Sequence, residues 1–186
     1  MRNEQLKMMI VSALFAAIIA VFAQISIPLP FSPVPITGQT LAIGLAATIL
    51  GSRYGTLSVG IYLLLGAVGA PVFAGMSGGL GSLVGPTGGY LVGFLPTAFI
   101  IGWYLEKTSF SVKQAIIANL IGMIVTLAFG TAWLKVAADL TWTAAIAGGV
   151  TPFIPLGIVK AVLAAIGGIA VRKRLESARL LSIQTN

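Results

Sequence analysis

Residues 71–94, PVFAGMSGGLGSLVGPTGGYLVGF, hold eight of the chain's 23 glycines and no charged residue, and they lie between two long apolar runs. Ordering glycine loses more backbone entropy than ordering any other residue, and proline, here at 71 and 86, removes a hydrogen-bond donor. The stretch therefore does not run as one regular helix and must be a shaped loop. Beside lipid, irregular backbone survives only where it is buried in protein or lines a cavity, because each unpaired N–H or C=O costs several kcal/mol in hydrocarbon. Two readings follow: the loop closes over a small-molecule pocket, or it is a re-entrant or surface connection between two helices.

That the surroundings are lipid follows from composition. Of 186 residues, 58% are hydrophobic and 8% charged, with a mean hydropathy of +1.04, whereas charged residues make up about 25% of soluble domains. The length suits one integral membrane domain, 1–186, with no room for a separate soluble one. A net charge of +7 does not point to nucleic acid, because the basic residues lie among apolar spans and cluster at the chain ends, as membrane orientation requires. The absence of Cys and His excludes disulfides, zinc sites and His-based catalysis. Four carboxylates remain, Glu4, Glu106, Asp139 and Glu176, three of them near expected cytoplasmic helix ends. Such an inventory argues against an enzyme, and no metal or cofactor is expected.

The apolar runs predict an all-α membrane protein, six transmembrane helices in a compact bundle at roughly 6–25, 39–51, 56–70, 87–105, 112–134 and 152–171. Extended outward-facing loops follow the first and third. The second and third spans are short for a ~30 Å hydrocarbon core and call for tilt or extension. Residues 26–38, SIPLPFSPVPITG, carry four prolines and are extended or turned. On the first span Ala13, Ala17 and Ala20 share a face with Ala16 on its flank, a small-residue pattern that lets a helix of this chain or another approach closely. Val21-Phe22-Ala23 leaves a cleaved signal sequence as an alternative, although the apolar core exceeds the usual length of about 7–15 residues. Asn119, Thr126 and Gly130 share a face of the fifth span and suit interhelical packing.

Basic residues test the count, since alternate loops of an even-numbered bundle must differ in Lys and Arg. Nine fall on one set of segments: Arg2, Lys7, Arg53, Lys107, Lys113, Arg172, Lys173, Arg174 and Arg179. Lys135 alone falls on the other. Both termini are thus expected in the cytoplasm of a bacterial-type cell membrane, with the proline-rich loop, the glycine-rich loop and the Trp142 region facing out.

The eleventh basic residue, Lys160, is the only one inside a span. Eight residues after Pro152, it lies about 12 Å below the outer end of the last helix, where a bare ammonium costs at least ~2.5 kcal/mol. It needs an anion. Asp139, the one outward-side carboxylate, could pair with it, at the desolvation cost that buried pairs carry. Alternatively the partner arrives from outside as a substrate carboxylate, held in a low-dielectric pocket beneath two uncharged loops. The glycine-rich loop is not a nucleotide cradle: it lacks a P-loop's Gly-Lys-Ser/Thr ending, and Gly79-Leu80-Gly81-Ser82-Leu83-Val84 lacks the last glycine of the dinucleotide fingerprint.

The run Gly85-Pro86-Thr87-Gly88-Gly89-Tyr90 with Gly93-Phe94, preceded by Gly66-Ala67-Val68-Gly69-Ala70-Pro71-Val72-Phe73-Ala74-Gly75, strongly resembles the signature of the BioY family. Its members are biotin-specific substrate-binding (S) components of energy-coupling factor transporters. Pro35-Ile36-Thr37-Gly38-Gln39-Thr40 and Pro152-Phe153-Ile154-Pro155 followed by Lys160 are similar to further family segments, so the resemblance covers nearly the whole chain. One departure stands out. The family commonly has Pro-Gly-Asp-x-x-Lys at the start of the last helix, whereas Leu156-Gly157 here replace Gly-Asp. Lys160 is left without a carboxylate one turn away, which favours a ligand carboxylate, or Asp139, as its partner.

The resemblance implies capture of biotin from outside and its import with a transmembrane scaffold protein and two ATPases. Lys160 would then anchor the carboxylate. Gln39, Thr37, Thr87, Tyr90 and the backbone of the glycine-rich loop, Gly88 included, are hydrogen-bonding candidates for the ureido ring, and Phe73 and Trp142 could pack on the bicycle. For Gln39, Tyr90 and Thr87 the alternative is satisfying loop backbone or capping the fourth helix. The alanine face of the first helix, Ala13, Ala17, Ala16 and Ala20, would dock the scaffold. The rival from another class is a self-sufficient secondary carrier or channel for a small organic anion, which usually needs an intramembrane titratable carboxylate or a broken-helix ion site; neither is evident.

Overall fold

The computed structural model describes residues 2–178, with side chains from Glu4 onward; Arg179, counted above among the basic residues, lies outside them. The chain is mostly helical. Helix α1 (Arg2–Ala23) turns Met8, Ser12, Phe15, Ala16, Ile19 and Ala23 inward at three- and four-residue intervals, the spacing of one helical face. Leu6, Met9, Ile10, Leu14 and Val21 point outward and are exposed, as hydrocarbon permits and water does not. Ala13 and Ala17 lie on that outer side and Ala20 is half-buried, whereas Ala16 packs in the core.

Strands β1 (Ser26–Leu29) and β2 (Ser32–Thr37) follow, paired antiparallel with Ser26 opposite Thr37 and Ile27 opposite Ile36. The expected all-α class is amended by this hairpin. Its prolines are tolerated because each strand of a two-stranded sheet is an edge, with half of its N–H groups unneeded by the ladder.

Helix α2 (Gln39–Ala67) folds back on itself at Gly51, whose φ of 79° and ψ of −172° lie outside the helical range. Ala47 lies directly against Gly55, and Gln39 reaches Tyr62, so the two legs run antiparallel. The sequence predicts separate spans ending near 51 and starting near 56, with a connection of several residues between them. The structure needs one glycine, because a single left-handed residue reverses the chain and Ser52 already begins the second leg. The legs span about 18 and 24 Å at 1.5 Å per residue.

Past α2, residues 68–79 form the irregular loop, with one 3-10 turn (Ala74–Met76). The short α3 (Leu80–Val84) leads to α4 (Gly88–Lys107), α5 (Val112–Ala137), α6 (Trp142–Gly149) and α7 (Ile154–Ser177). Four stretches among the described residues are long and apolar enough to cross a membrane: Glu4–Ala23, Gly88–Lys107, Val112–Ala137 and Trp142–Ser177. Helices α4 and α5 pack closely because glycines sit at their crossing. A Cβ on Gly89 or Gly130 would run into Trp133 or the Tyr90 ring. Asn119 and Thr126 of α5 reach across to other helices, to Thr48 Oγ1 at 3.0 Å and Thr97 Oγ1 at 2.7 Å.

Candidate functional site

The apolar faces of α2, α4, α5 and α7 do not close completely at the end of the bundle that carries the hairpin and the irregular loop. A cavity of about 310 Å³ remains, at the lower end of the range for small-molecule sites. The hairpin covers one side through residues 33–37, and the loop and α3 cover another through Phe73, Ala74, Ser77 and Ser82. Helices α4, α5 and α7 supply the walls with Tyr90, Phe94, Thr97, Asn119, Thr126 and Gly157 among others.

Lys160 lines this cavity, and among the described residues no Asp, Glu or Arg does. It gets there because α7 turns the stripe of Gly157, Lys160, Ala161, Ala164 and Gly168 inward, while Ile158, Val159 and Leu163 face out. The ammonium donates to the Thr37 carbonyl at 2.7 Å and to Thr40 Oγ1 at 3.3 Å. Both acceptors are neutral. An ammonium has three donors, so two are engaged and one is left, and the positive charge is not neutralised by the protein around the cavity.

Thr37 also donates through Oγ1 to Gln39 Oε1 at 2.7 Å, and Gln39 Nε2 donates to the Tyr62 hydroxyl at 2.6 Å. Gln39 therefore has one N–H left to offer a ligand. The Tyr90 hydroxyl donates to the Gly149 carbonyl at 2.8 Å, which ties α4 to α6 and leaves mainly the ring for the cavity. Thr87 precedes α4 without capping it through its side chain, and it lines the cavity. Phe73 is buried, edge-on to Tyr62 at 5.5 Å between centroids. It seats against Gly66, where a Cβ would overlap its ring.

Lys160, Gln39, Thr37, Tyr90, Thr87 and Phe73 are thus brought together. Three expected residues lie elsewhere. Asp139 sits on the exposed turn after α5 with φ of 49°, and no ion pair joins it to Lys160. Trp142 begins α6, 56% exposed, with the Lys135 ammonium 5.6 Å above its ring; α6 stands beside the hairpin, and its first turn does not reach the cavity wall. Gly88 is buried against Leu83 and Trp133 and does not line the cavity.

Sequence reading missed Thr40, Ser77, Ser82, Thr97 and Met123 as lining residues. It assigned Asn119 and Thr126 to interhelical packing only, whereas both pack between helices and face the cavity. Polar residues recurring on the inner face of an apolar span were the available signal. Among the described residues no cluster of His, Cys, Asp or Glu could hold a metal. The arrangement suits reversible binding of an amphiphile with one anionic end.

A model of the BioY family matches residues 1–177. The biotin transporter BioY2 of Lactococcus lactis subsp. cremoris is 42% identical over 176 residues, covering 95% of this chain and 96% of its own. The biotin transporter BioY of Thermotoga maritima is 43% identical over 175 residues, covering 94% of this chain and 100% of its own. Among solved structures, the S-component for biotin from an ECF-type ABC transporter superposes with a TM-score of 0.86 at 35% identity, over 93% of this chain and 94% of that one. These relatives are transporters, not enzymes.

Proposed function

The chain belongs to the BioY family, and from that premise we propose that it is the high-affinity biotin-binding subunit of an ATP-driven vitamin importer. In this account the whole chain is one membrane domain with six crossings: α1, the two legs of α2, α4, α5 and α7. Both termini lie in the cytoplasm and the hairpin and irregular loop face outward. The observation that carries the proposal is Lys160, a charged group with neutral hydrogen-bond partners on the wall of an otherwise uncharged cavity. Biotin complements it, with a carboxylate on an apolar tail and a ureido ring that needs donors and acceptors. Lys160 binds the carboxylate. Gln39, Thr37, Thr87 and Tyr90 surround the remainder, with Phe73 packed on it.

Affinity for the vitamin is tested on the detergent-purified chain by calorimetric titration with biotin and with biotin amide. Biotin is expected to bind tightly and the amide, which lacks the charge, far more weakly. Equal heats and affinities for the two would remove Lys160 from the account, and no binding of either would remove biotin.

A subunit of this kind delivers its cargo through a transmembrane scaffold protein driven by two ATPases. The exposed Ala13 and Ala17 on α1 form a flat strip on which a scaffold helix can dock, since small side chains let backbones approach. Ala20 borders that strip, and Ala16 supports it from inside the core. Ala17→Trp is expected to abolish biotin uptake by the reconstituted transporter while leaving biotin affinity of the isolated chain unchanged. Loss of affinity in that variant would show that this face packs within the chain.

A further inference from the structure

The loop over the cavity is seated by the buried Phe73 ring and hydrogen-bonded at its tip through one other side chain. Gln24, just past the end of α1, donates its two Nε2 hydrogens to the Phe73 carbonyl and the Ala20 carbonyl of its own helix, both at 3.1 Å, with the Val72 carbonyl at 3.4 Å as a weaker, shared acceptor. Its Oε1 accepts from the Met76 N–H at 3.0 Å. Among the described residues, every hydrogen bond from residues 72–76 to another element of the fold comes from Gln24.

The segment so held is a shaped one. Phe73 and Ser77 face each other in an isolated antiparallel bridge, and between them Gly75 (φ 67°) and Met76 (φ 57°) are both left-handed. Two consecutive left-handed residues, the second with a side chain, form a conformation that the chain leaves unless something holds it. Met76 is 65% exposed, so its side chain contributes little burial to hold it, and its N–H bond to Gln24 does. On the other side of the same turn, Phe73, Ala74 and Ser77 line the cavity.

We propose that Gln24 is the latch of this lid, a positioning residue that keeps the turn at 72–77 closed over the cavity and thereby sets how fast ligand leaves. The inference deepens the biotin reading of the cavity and rests on it for the identity of the ligand. The latch sits at the end of α1, the helix whose outer face carries Ala13 and Ala17. A shift of α1 against the loop breaks the bonds to Val72, Phe73 and Met76 together, so closure of the lid depends on where α1 stands.

Two readouts on the purified chain in detergent test this. Hydrogen exchange at the amides of residues 72–77, measured without biotin, reads the lid alone. Dissociation of preloaded radiolabelled biotin into excess unlabelled biotin reads its effect on the ligand. In Gln24→Ala, Met76 and its neighbours are expected to lose protection while α4 and α5 keep theirs, and biotin is expected to leave about tenfold faster. Gln24→Glu keeps an acceptor for Met76 but presents a carboxylate to the Val72 and Phe73 carbonyls, so it should fall between the two and guards against a folding defect in the alanine variant. Unchanged protection at Met76 in Gln24→Ala overturns the latch; lost protection with an unchanged dissociation rate overturns its control of exchange. If the wild-type chain holds no biotin at all, the ligand reading fails, and the exchange measurement still decides whether Gln24 holds the lid.

Discussion

Lys160→Ala is expected to weaken biotin binding by about 30-fold to several thousand-fold, the range set by about 2–5 kcal/mol for truncating one partner of a buried, hydrogen-bonded charge pair. The size of the effect comes from the surroundings. Among the described residues the cavity wall offers a carboxylate no other cation, and a carboxylate taken from water into such a site without one pays a large desolvation penalty. The variant should still fold, because Lys160 is only half-buried and its own two hydrogen bonds go to neutral acceptors. Biotin amide turns this into a cycle: if the ammonium acts on the carboxylate, wild type and Lys160→Ala should bind the amide about equally while differing strongly for biotin. A loss that is the same for both ligands would mean that Lys160 shapes the cavity through Thr37 and Thr40 rather than holding charge.

Lys160 was legible because a lone cation inside an apolar span has few physical excuses. Its company was legible in part. Thr37, Gln39, Phe73, Thr87 and Tyr90 belong to motifs flanking the two uncharged loops, and those loops both reach the cavity. Asp139 is the one outward carboxylate in the sequence and Trp142 an outward aromatic that could pack on a bicycle, and neither property places a residue at the cavity. Nothing in a sequence says which loops meet above a bundle, and the turn after α5 stays clear of the cavity. The pairing of β1 with β2 was hidden by four prolines, which signal extension without naming a partner. Gln24 gave no signal at all, since a glutamine after a helix is compatible with solvent. Arg172 was misleading: within Arg172-Lys173-Arg174 it reads as one of three solvated cations at a helix end, whereas the structure buries it to 2% exposure.

That burial leads to the second large effect. Replacing Arg172 with methionine is expected to destabilise the chain by about 2–4 kcal/mol, lowering its thermal unfolding midpoint in detergent by about 5–15 °C. The reason lies in the fold-back of α2. Breaking a helix at Gly51 leaves carbonyls at the end of the first leg and N–H groups at the start of the second without intrahelical partners, and the first-leg end is buried at Ile49 and Leu50. Arg172 Nη1 donates to the Ile49 carbonyl at 2.7 Å, its Nε lies 2.8 Å from Glu176 Oε1, and its guanidinium lies 3.4 Å above the Phe110 ring. Glu106 supplies the counterpart, accepting from the Ser52 N–H and the Ser52 hydroxyl, both at 2.7 Å. A cation thus meets the carbonyl end of one leg and an anion the amide end of the next, each in the orientation that the helix dipole favours. Methionine fills much of the volume and can still lie on Phe110, but it leaves the Ile49 carbonyl unpaired. Lysine keeps a charge without the planar fork and should fall between the two. Since Arg172 sits about 18 Å along α7 from Lys160, whatever fraction of Arg172→Met remains folded should bind biotin with wild-type affinity. An unshifted unfolding midpoint would mean that the contact of Ala47 with Gly55 holds the fold-back without the charged brace; a shifted affinity with an unshifted midpoint would mean that the two ends of α7 are coupled.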